Sequence, residues 1–161
     1  MTYANGEKHE GYWDQGSHQD GKFTFTYCAD ETVFKGIAKN GKKYHGVETY
    51  KHGGRYEGYF GGDEFHGTGF FKWPGGRTYN GDWTYGKMDG QGECIYEDGA
   101  IYKGQWKNGM KHGNGVMTWP DGRVYDGEWV SDKQHGMAML KSTLGHSVIA
   151  EYESGSKVRY C

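Results

Sequence analysis

One pattern of residues returns every 23 positions, and it constrains the fold of this chain more than any other feature. The pattern is Tyr-x-Gly-x-Trp, and it begins at Tyr79, Tyr102 and Tyr125. A constant period of this length is typical of repeat proteins, in which each unit packs mainly against its neighbours. We therefore expect an array of similar units rather than one globular core.

Within each unit, large and small residues alternate, which predicts β-strands. Tyr79, Gly81 and Trp83 fall on one face of a first strand because successive side chains point to opposite sides. The segment 86–90 is short and glycine-rich, so it is expected to be a hairpin loop that leads to a second strand. Gly81 leaves a gap beside two rings, which a ring from an adjacent strand is expected to fill.

The repeat extends, with small changes of length, to both ends of the chain. The expected units are a partial unit over residues 1–8, six units over 9–33, 34–55, 56–78, 79–101, 102–124 and 125–147, and a degenerate unit over 148–161. The chain opens in what corresponds to the second strand of a unit. Proteins usually avoid such an unpaired edge, so we expect the sequence to be a fragment of a longer array.

The composition excludes several other classes of protein. Leucine, isoleucine and valine number only 2, 4 and 7, against 14 tyrosines, 6 tryptophans and 30 glycines, so the interior must be aromatic. A net charge of −2 lacks the surplus of cations that nucleic-acid binding needs. No apolar run is long enough to form a spanning helix. Nucleic acid and membrane insertion are therefore not expected.

The longer motif resembles a known family. Tyr-x-Gly-x-Trp-x-x-Gly-Lys-x-x-Gly-x-Gly runs from Tyr79 to Gly92, and a similar segment runs from Tyr102 to Gly115. This motif is similar to the MORN repeat (membrane occupation and recognition nexus), and the resemblance covers the whole chain. The resemblance implies an all-β fold: an elongated single-layer antiparallel sheet, twisted and built from tandem β-hairpin repeats. The concave surface of this sheet would be lined by the faces of aromatic rings.

The repeated rings provide the first candidate site, an aromatic groove that binds a protein or peptide. Tyrosine and tryptophan are enriched at the centres of interfaces because they offer a large contact area at a low ordering cost. The expected groove residues are Tyr56, Phe71, Trp73, Tyr79, Trp83, Tyr96, Tyr102, Trp106, Trp119, Tyr125 and Trp129. A carbohydrate stacked on the same rings is an alternative.

The resemblance to MORN repeats also implies contact with phospholipid head groups. Lys87, Lys111 and Lys133 recur in the predicted hairpin loops and would form a stripe of positive charge. Acidic residues such as Glu57 and Asp82 offset them, and electrostatic membrane binding needs clusters of cations. We therefore expect at most weak, salt-sensitive binding to anionic phospholipid.

Eight histidines raise the question of a metal site. Four of them precede a glycine in successive units: His45, His66, His112 and His135. Equivalent atoms of successive units lie ~9–10 Å apart, at two strand spacings, which is too far for shared zinc coordination. We expect no metal and no cofactor. The alternative is a metal that bridges two chains through His135, His146 or Cys161.

The repeat pattern weakens near the C-terminus, where aliphatic residues gather. An exposed apolar end is either an aggregation hazard or a partner surface, and two-fold pairing of identical ends would cover it. The expected homodimer interface is Met137, Met139, Leu140, Leu144, Val148, Ile149, Val158 and Cys161. Such pairing would bring two Cys161 thiols near the axis, where oxidation could link them.

These expectations combine into a non-enzymatic scaffold protein that binds proteins and pairs with itself in a cytoskeletal or membrane-associated assembly. The sequence has no Ser/His/Asp order, phosphate loop or HExxH motif, and its carboxylates are expected to face solvent and not to form a catalytic pair. The expected location is the cytoplasm, the cytoskeleton or the cytoplasmic face of a membrane. The alternative that the resemblance implies is a lipid- or partner-binding accessory module of a larger enzyme, such as a lipid kinase or a SET-type methyltransferase.

Overall fold

The computed structural model describes residues 2, 8–11, 13–14, 17–18, 21–27 and 31–161. Every regular element among these residues is a β-strand: β1 (Lys8–Glu10), β2 (Trp13–Asp14), β3 (Ser17–His18), β4 (Gly21–Tyr27), β5 (Thr32–Lys39), β6 (Lys42–Thr49), β7 (Arg55–Gly61), β8 (Glu64–Lys72), β9 (Thr78–Thr84), β10 (Lys87–Ile95), β11 (Ile101–Lys107), β12 (Met110–Thr118), β13 (Val124–Val130), β14 (Lys133–Lys141), β15 (Ser147–Glu153) and β16 (Ser156–Tyr160). Within this part of the chain, no helix is long and apolar enough to cross a membrane.

The strands form an open antiparallel sheet of tandem hairpins. Strand β1 and strands β4 to β16 make one 14-stranded sheet in chain order, and β2 pairs with β3 separately. The predicted all-β fold is thereby confirmed. The contacts divide the chain into an N-terminal unit, residues 1–75 with 83–86, and a C-terminal unit, residues 76–82 with 87–161. The predicted boundaries of the repeats stay a prediction, and parts of the predicted units 1–8 and 9–33 lie outside the described residues.

Two kinds of turn alternate between β5 and β16. The first has two residues, both with positive φ, such as Asn108 at 50° and Gly109 at 84°. This geometry matches the twist of the strands that it joins. The second connection has five residues and one glycine with positive φ, such as Gly99 at 87°. The hairpin loop predicted over 86–90 is therefore too long, because β10 already begins at Lys87.

The core of the C-terminal unit consists of tyrosine rings that lie across pairs of glycines. Gly104 of β11 lies opposite Gly115 of β12. Tyr102 is fully buried against them, and its hydroxyl group donates a hydrogen bond to the Gln105 carbonyl at 2.9 Å. The glycines make room for a ring, as predicted. The ring, however, belongs to the same strand as Gly104 and not to an adjacent one.

Tryptophans connect successive repeats in this unit. The Nε1 atom of Trp129 donates a hydrogen bond to the Gly115 carbonyl at 3.0 Å, and Trp106 does the same to Gly92 at 3.3 Å. Tyr102 meets Trp106 and Trp129 edge-on, with ring centroids 5.1 and 5.5 Å apart. Tyr102 is thus held between the tryptophan of its own repeat and that of the next, and Tyr125 is held between Trp129 and Tyr152. Edge-on contacts of this kind are favourable for aromatic pairs.

The N-terminal unit has the same plan with one polar exception. Lys43 lies opposite Ala38, as Phe65 lies opposite Phe60 in the next repeat. Its ammonium group forms a buried ion pair with Glu48, whose other oxygen accepts a hydrogen bond from the Tyr50 hydroxyl at 2.7 Å. A charged pair therefore replaces apolar side chains in this repeat.

Candidate functional site

The predicted groove rings separate into two groups. Seven have 0–4% of their surface exposed and form the core: Tyr56, Tyr79, Tyr102, Tyr125, Trp83, Trp106 and Trp129. The other four are half-buried: Phe71, Trp73, Tyr96 and Trp119. The buried rings are covered by their neighbours, so they stabilise the sheet and do not offer a contact surface. The prediction that all eleven line a groove is corrected in this respect.

Tyr96 and Trp119 line a cavity of about 470 Å³ in the C-terminal unit. We call it the Tyr96–Trp119 groove, and its other lining residues are Arg77, Glu97, Asp98, Ala100, Lys111 and Met117. A second cavity, of about 510 Å³, shares Trp119 and continues along β14 to β16. Trp119 therefore separates two neighbouring depressions of one surface.

The two rings of the groove occupy the same position in two equivalent turns. The backbone N–H of Tyr96 donates to the Ala100 carbonyl at 2.8 Å, and that of Trp119 donates to the Arg123 carbonyl at 2.9 Å. Glycines 99 and 122 supply the positive φ in each turn. Because the two turns have the same backbone hydrogen bond and the same glycine position, the 23-residue period places both rings on one side of the sheet.

Two cations contact the aromatic rings of the groove. The Lys111 ammonium lies 5.6 Å from the Tyr96 ring centroid, 5.1 Å from that of the buried Trp129 and 3.5 Å from an Asp132 oxygen. The Arg77 guanidinium lies 5.3 Å from the Tyr96 ring centroid, and its Nε donates to Cys94 Sγ at 3.2 Å. Cations over ring faces are attracted by the π-electrons. The sequence prediction did not include Arg77, although its place two residues before the repeated tyrosine was a usable signal.

The Tyr96 hydroxyl group stays protonated at neutral pH. Burial raises the pKa of this phenol well above its ordinary value, and the neighbouring Cys94 adds to the shift. A protonated hydroxyl can both donate and accept a hydrogen bond. The groove therefore offers a neutral polar group beside its rings, together with the carboxylates of Glu97 and Asp98.

The three lysines proposed to form a lipid stripe do not share a face. Lys87 and Lys133 are exposed and begin β10 and β14. Lys111 is the second residue of β12, so its side chain points to the opposite side, where only 14% of it is exposed. The predicted stripe is therefore wrong for Lys111, which belongs to the groove.

The predicted homodimer residues are also divided between the two faces of the sheet. Met139 lies opposite Ile149, and Leu140 lies opposite Val148, so the two pairs face opposite ways. Met137 shares the outer face with Met139, since the residue between them, Ala138, is buried. Leu140 instead lines the second cavity. Leu144, Val158 and Cys161 are exposed.

The histidines occupy more than one position in the repeat. His66, His112 and His135 each precede a glycine with positive φ, whereas His45 precedes a strand glycine that pairs with Gly36. Their predicted equivalence is therefore wrong for His45. Among the described residues, no three potential ligands come together to hold a metal ion. A metal bridging two chains through His135, His146 or Cys161 stays a prediction.

Solved structures with a similar fold include two TCP-type domains. The SAS-4 (dCPAP) TCP domain of Drosophila melanogaster, solved with a proline-rich motif of Ana2 (dSTIL), has a TM-score of 0.57 and 14% identity over 94% of this chain and 82% of its own. The TCP10 domain of Danio rerio CPAP, solved with a STIL peptide, has a TM-score of 0.40 and 14% identity over 99% and 91%. No curated protein sequence matches this chain significantly.

The repeat motif itself identifies the family. The sequence profile of the MORN repeat matches four times, at residues 56–76, 79–101, 102–122 and 125–142, which together make up just over half of the chain. These segments contain the buried tyrosines, the glycine pairs and the tryptophans that the structure places in the core. The chain therefore belongs to the MORN repeat family.

Proposed function

We propose that this chain is a non-enzymatic scaffold protein that binds an extended segment of a partner protein in the Tyr96–Trp119 groove. The main support for this proposal is that Tyr96 and Trp119 are only half-buried beside a cavity, while the repeated rings around them are buried. Half-exposed tyrosine and tryptophan are effective anchors for a partner. Glu97 and Asp98 supply polar groups that would fix the partner's orientation.

A peptide partner is favoured over a small molecule. The groove is open and adjoins a second cavity at Trp119, so a chain could extend along both. The Drosophila TCP domain with the similar fold was solved with a proline-rich motif. Proline-rich segments suit aromatic-lined grooves because they lose little entropy on binding. The partner would belong to a cytoskeletal or membrane-associated assembly in the cytoplasm or at its membrane face.

A peptide selection tests this proposal. A displayed library of random peptides is selected on the wild-type chain, and the enriched peptides are then measured on Trp119→Ala. We expect binding to weaken by tenfold or more, since an anchoring tryptophan contributes about 2 kcal/mol or more. Tyr59→Ala is the matched control, because Tyr59 is an exposed ring of the N-terminal unit. Peptides that bind Trp119→Ala as well as the wild type would contradict the proposal.

We also propose that the chain forms a homodimer through the outer face of its last strands. Met137, Met139 and Ile149 are 52%, 48% and 50% exposed there, and every residue of the terminal strand β16 is exposed. Apolar side chains beside a free strand edge favour association. A second copy related by a two-fold axis would cover the same surface on both chains.

Light scattering measures this association directly. The wild-type chain should have twice its monomer mass, and Met139→Asp with Ile149→Asp should give a folded monomer because charges would be buried in the interface. Tyr85→Asp is the control, since Tyr85 lies in a turn of the N-terminal unit, is 67% exposed and is not among the predicted interface residues. A monomeric wild-type chain at high micromolar concentration would exclude the dimer.

A further inference from the structure

Two equivalent turns of the C-terminal unit, 96–100 and 119–123, end in different side chains: Ala100 in the first and Arg123 in the second. Asp98 Oδ1 accepts a hydrogen bond from the backbone N–H of Ala100 at 3.0 Å. Asp121 Oδ1 accepts one from the N–H of Arg123 at 3.1 Å, at the equivalent place 23 residues later. The aspartates therefore have the same local role, but one turn ends in a methyl group and the other in a guanidinium.

In the later turn, the guanidinium joins the aspartate to the ring. Arg123 Nε donates to Asp121 Oδ2 at 2.7 Å, and the guanidinium lies 5.5 Å from the Trp119 ring centroid. The backbone N–H and the side chain of Arg123 both hold the pKa of Asp121 below its usual value. The chain thus provides its own example of how a guanidinium binds between a turn carboxylate and an aromatic ring.

In the earlier turn, the corresponding place holds no arginine. Among the described residues, Asp98 has no ion-pair partner. The Ala100 methyl group is 4% exposed and lies at the floor of the groove between Tyr96 and Trp119. The small side chain at position 100 therefore leaves space beside a carboxylate and two rings, of which Tyr96 also contacts the Arg77 guanidinium.

We infer that the Tyr96–Trp119 groove binds the guanidinium group of an arginine in the partner peptide. The arginine would donate to Asp98 and lie against the groove rings, as Arg123 donates to Asp121 and lies near the Trp119 ring one repeat later. This inference rests on the proposed peptide-binding function and adds the chemistry of the ligand. Arginine suits the site better than lysine, because its planar group stacks on rings and donates two parallel hydrogen bonds.

The charges around the groove favour a cation. Glu97 and Asp98 line it, and Asp132 lies 3.5 Å from the Lys111 ammonium and offsets that charge. With Asp132 offsetting Lys111, the two carboxylates that line the groove face one remaining cation, Arg77. Both cations are also held by ring faces of the protein, at 5.1 and 5.3 Å from the centroids of Trp129 and Tyr96. An incoming guanidinium would meet a small excess of negative charge.

Two other turns of this type lack one of the required groups. In the turn that begins at Tyr50, Gly54 leaves space, but His52 replaces the aspartate. In the turn that begins at Ser142, the ring is missing and His146 fills the last position. The combination of ring, carboxylate and small residue thus points to the turn between β10 and β11.

The test uses short synthetic peptides and nuclear magnetic resonance of the full chain. The probes are acetylated, amidated pentapeptides of glycine with one central arginine, lysine, citrulline or glutamate. We expect the arginine peptide to shift the Ala100 methyl and Trp119 indole signals at millimolar concentration. Lysine should shift them less, and citrulline, which is neutral and of similar shape, should leave them in place.

Three variants separate the inference from its alternatives. Asp98→Asn should weaken binding of the arginine peptide by about tenfold, the value of a charge-assisted hydrogen bond. Ala100→Arg should abolish it, because the chain would fill its own site as Arg123 does. Arg123→Ala should create a second site at Trp119. Thermal unfolding of each variant verifies that it is folded.

Several outcomes would overturn the inference. Equal shifts with citrulline would mean that the groove recognises shape and not charge. Preferential binding of the glutamate peptide, lost in Lys111→Gln, would mean that the groove cations select an acidic partner. Absence of any shift with the arginine peptide would also overturn it. Peptides that depend on Trp119 but lack arginine would preserve the proposed function while removing this inference.

Discussion

A Cβ atom at position 115 would lie 2.2 Å from the hydroxyl oxygen of Tyr102, far inside van der Waals contact. Gly115→Ala should therefore destabilise the chain by about 1–3 kcal/mol, the usual cost of overpacking a filled core. The last repeat shows how a methyl group is accommodated, since Ala138 lies there and Tyr125 stays buried. Urea unfolding measured by circular dichroism would give the change in unfolding free energy.

A second glycine provides the control for this substitution. Gly109 has φ = 84° and open space where a Cβ would lie. Gly109→Ala thus tests backbone strain alone and should cost about 1 kcal/mol. If both alanine variants lost the same stability, the close approach of Tyr102 would not be the reason that residue 115 is glycine.

Removing one partner of the buried Lys43–Glu48 ion pair should destabilise the chain strongly, whereas replacing both partners with apolar residues should have a small effect on its stability. Glu48→Met leaves the Lys43 charge in an aromatic environment, which should destabilise the chain by about 3–5 kcal/mol. Adding Lys43→Met removes that charge and should restore most of the loss. Met117 already occupies the position equivalent to Glu48, opposite Tyr102. Failure of the double variant to recover stability would show that the pair has a specific structural role.

The sheet should lose stability at alkaline pH. Burial raises the pKa of Tyr125 from 10 to about 12 and raises those of Tyr56, Tyr79 and Tyr102 further. Between pH 10 and 12, the unfolded chain releases phenolic protons that the folded chain retains. The stability is therefore complete below pH 10 and falls as the pH rises, by up to about 1.4 kcal/mol per pH unit for each tyrosine.

Circular dichroism and phenolate absorbance, recorded together along a pH titration, test this expectation. Ionisation of the buried tyrosines should coincide with loss of the β-sheet signal. A chain that stays folded while all of its tyrosines ionise would contradict it.

Binding to anionic vesicles should be weak and sensitive to salt. Lys87 and Lys133 are the exposed lysines of the proposed stripe, and the chain has a net charge of −2. Sedimentation with phosphatidylserine-containing vesicles should recover little protein at low salt and none at ~0.5 M salt. Lys87→Glu with Lys133→Glu should remove the remainder. Sedimentation that resists salt would require a dedicated lipid site.

The sequence was informative about the fold because its aromatic and glycine residues recur in phase. Tyr79, Gly81 and Trp83 were assigned to one face correctly, since strand alternation fixes this. Lys111 was misplaced because it is the second residue of β12, one position later in the repeat than Lys87 and Lys133, which begin their strands. A shift of one position along a strand turns a side chain to the opposite face.

The groove was only partly predictable for a different physical reason. The alternation of side chains along a strand assigns Tyr96 and Tyr102 to the face of the sheet that carries the aromatic rings. It does not indicate which of these rings is covered by a neighbouring strand. That depends on packing between repeats, which leaves Tyr102 fully buried and Tyr96 half-buried. The difference between Ala100 and Arg123 was visible in the sequence, but its meaning required the measured contacts of Arg123.

The indole of each core tryptophan donates to a main-chain carbonyl 14 residues earlier, and every amino acid carries such a carbonyl. A tandem duplication of one repeat in the gene would therefore add a tryptophan N–H donor, and the preceding repeat would already supply the carbonyl that accepts its hydrogen bond. The array can grow or shrink by whole copies while its cohesion stays the same. Inherited variation is then free to accumulate at turn positions such as 100 and 123, where new copies can acquire different binding preferences.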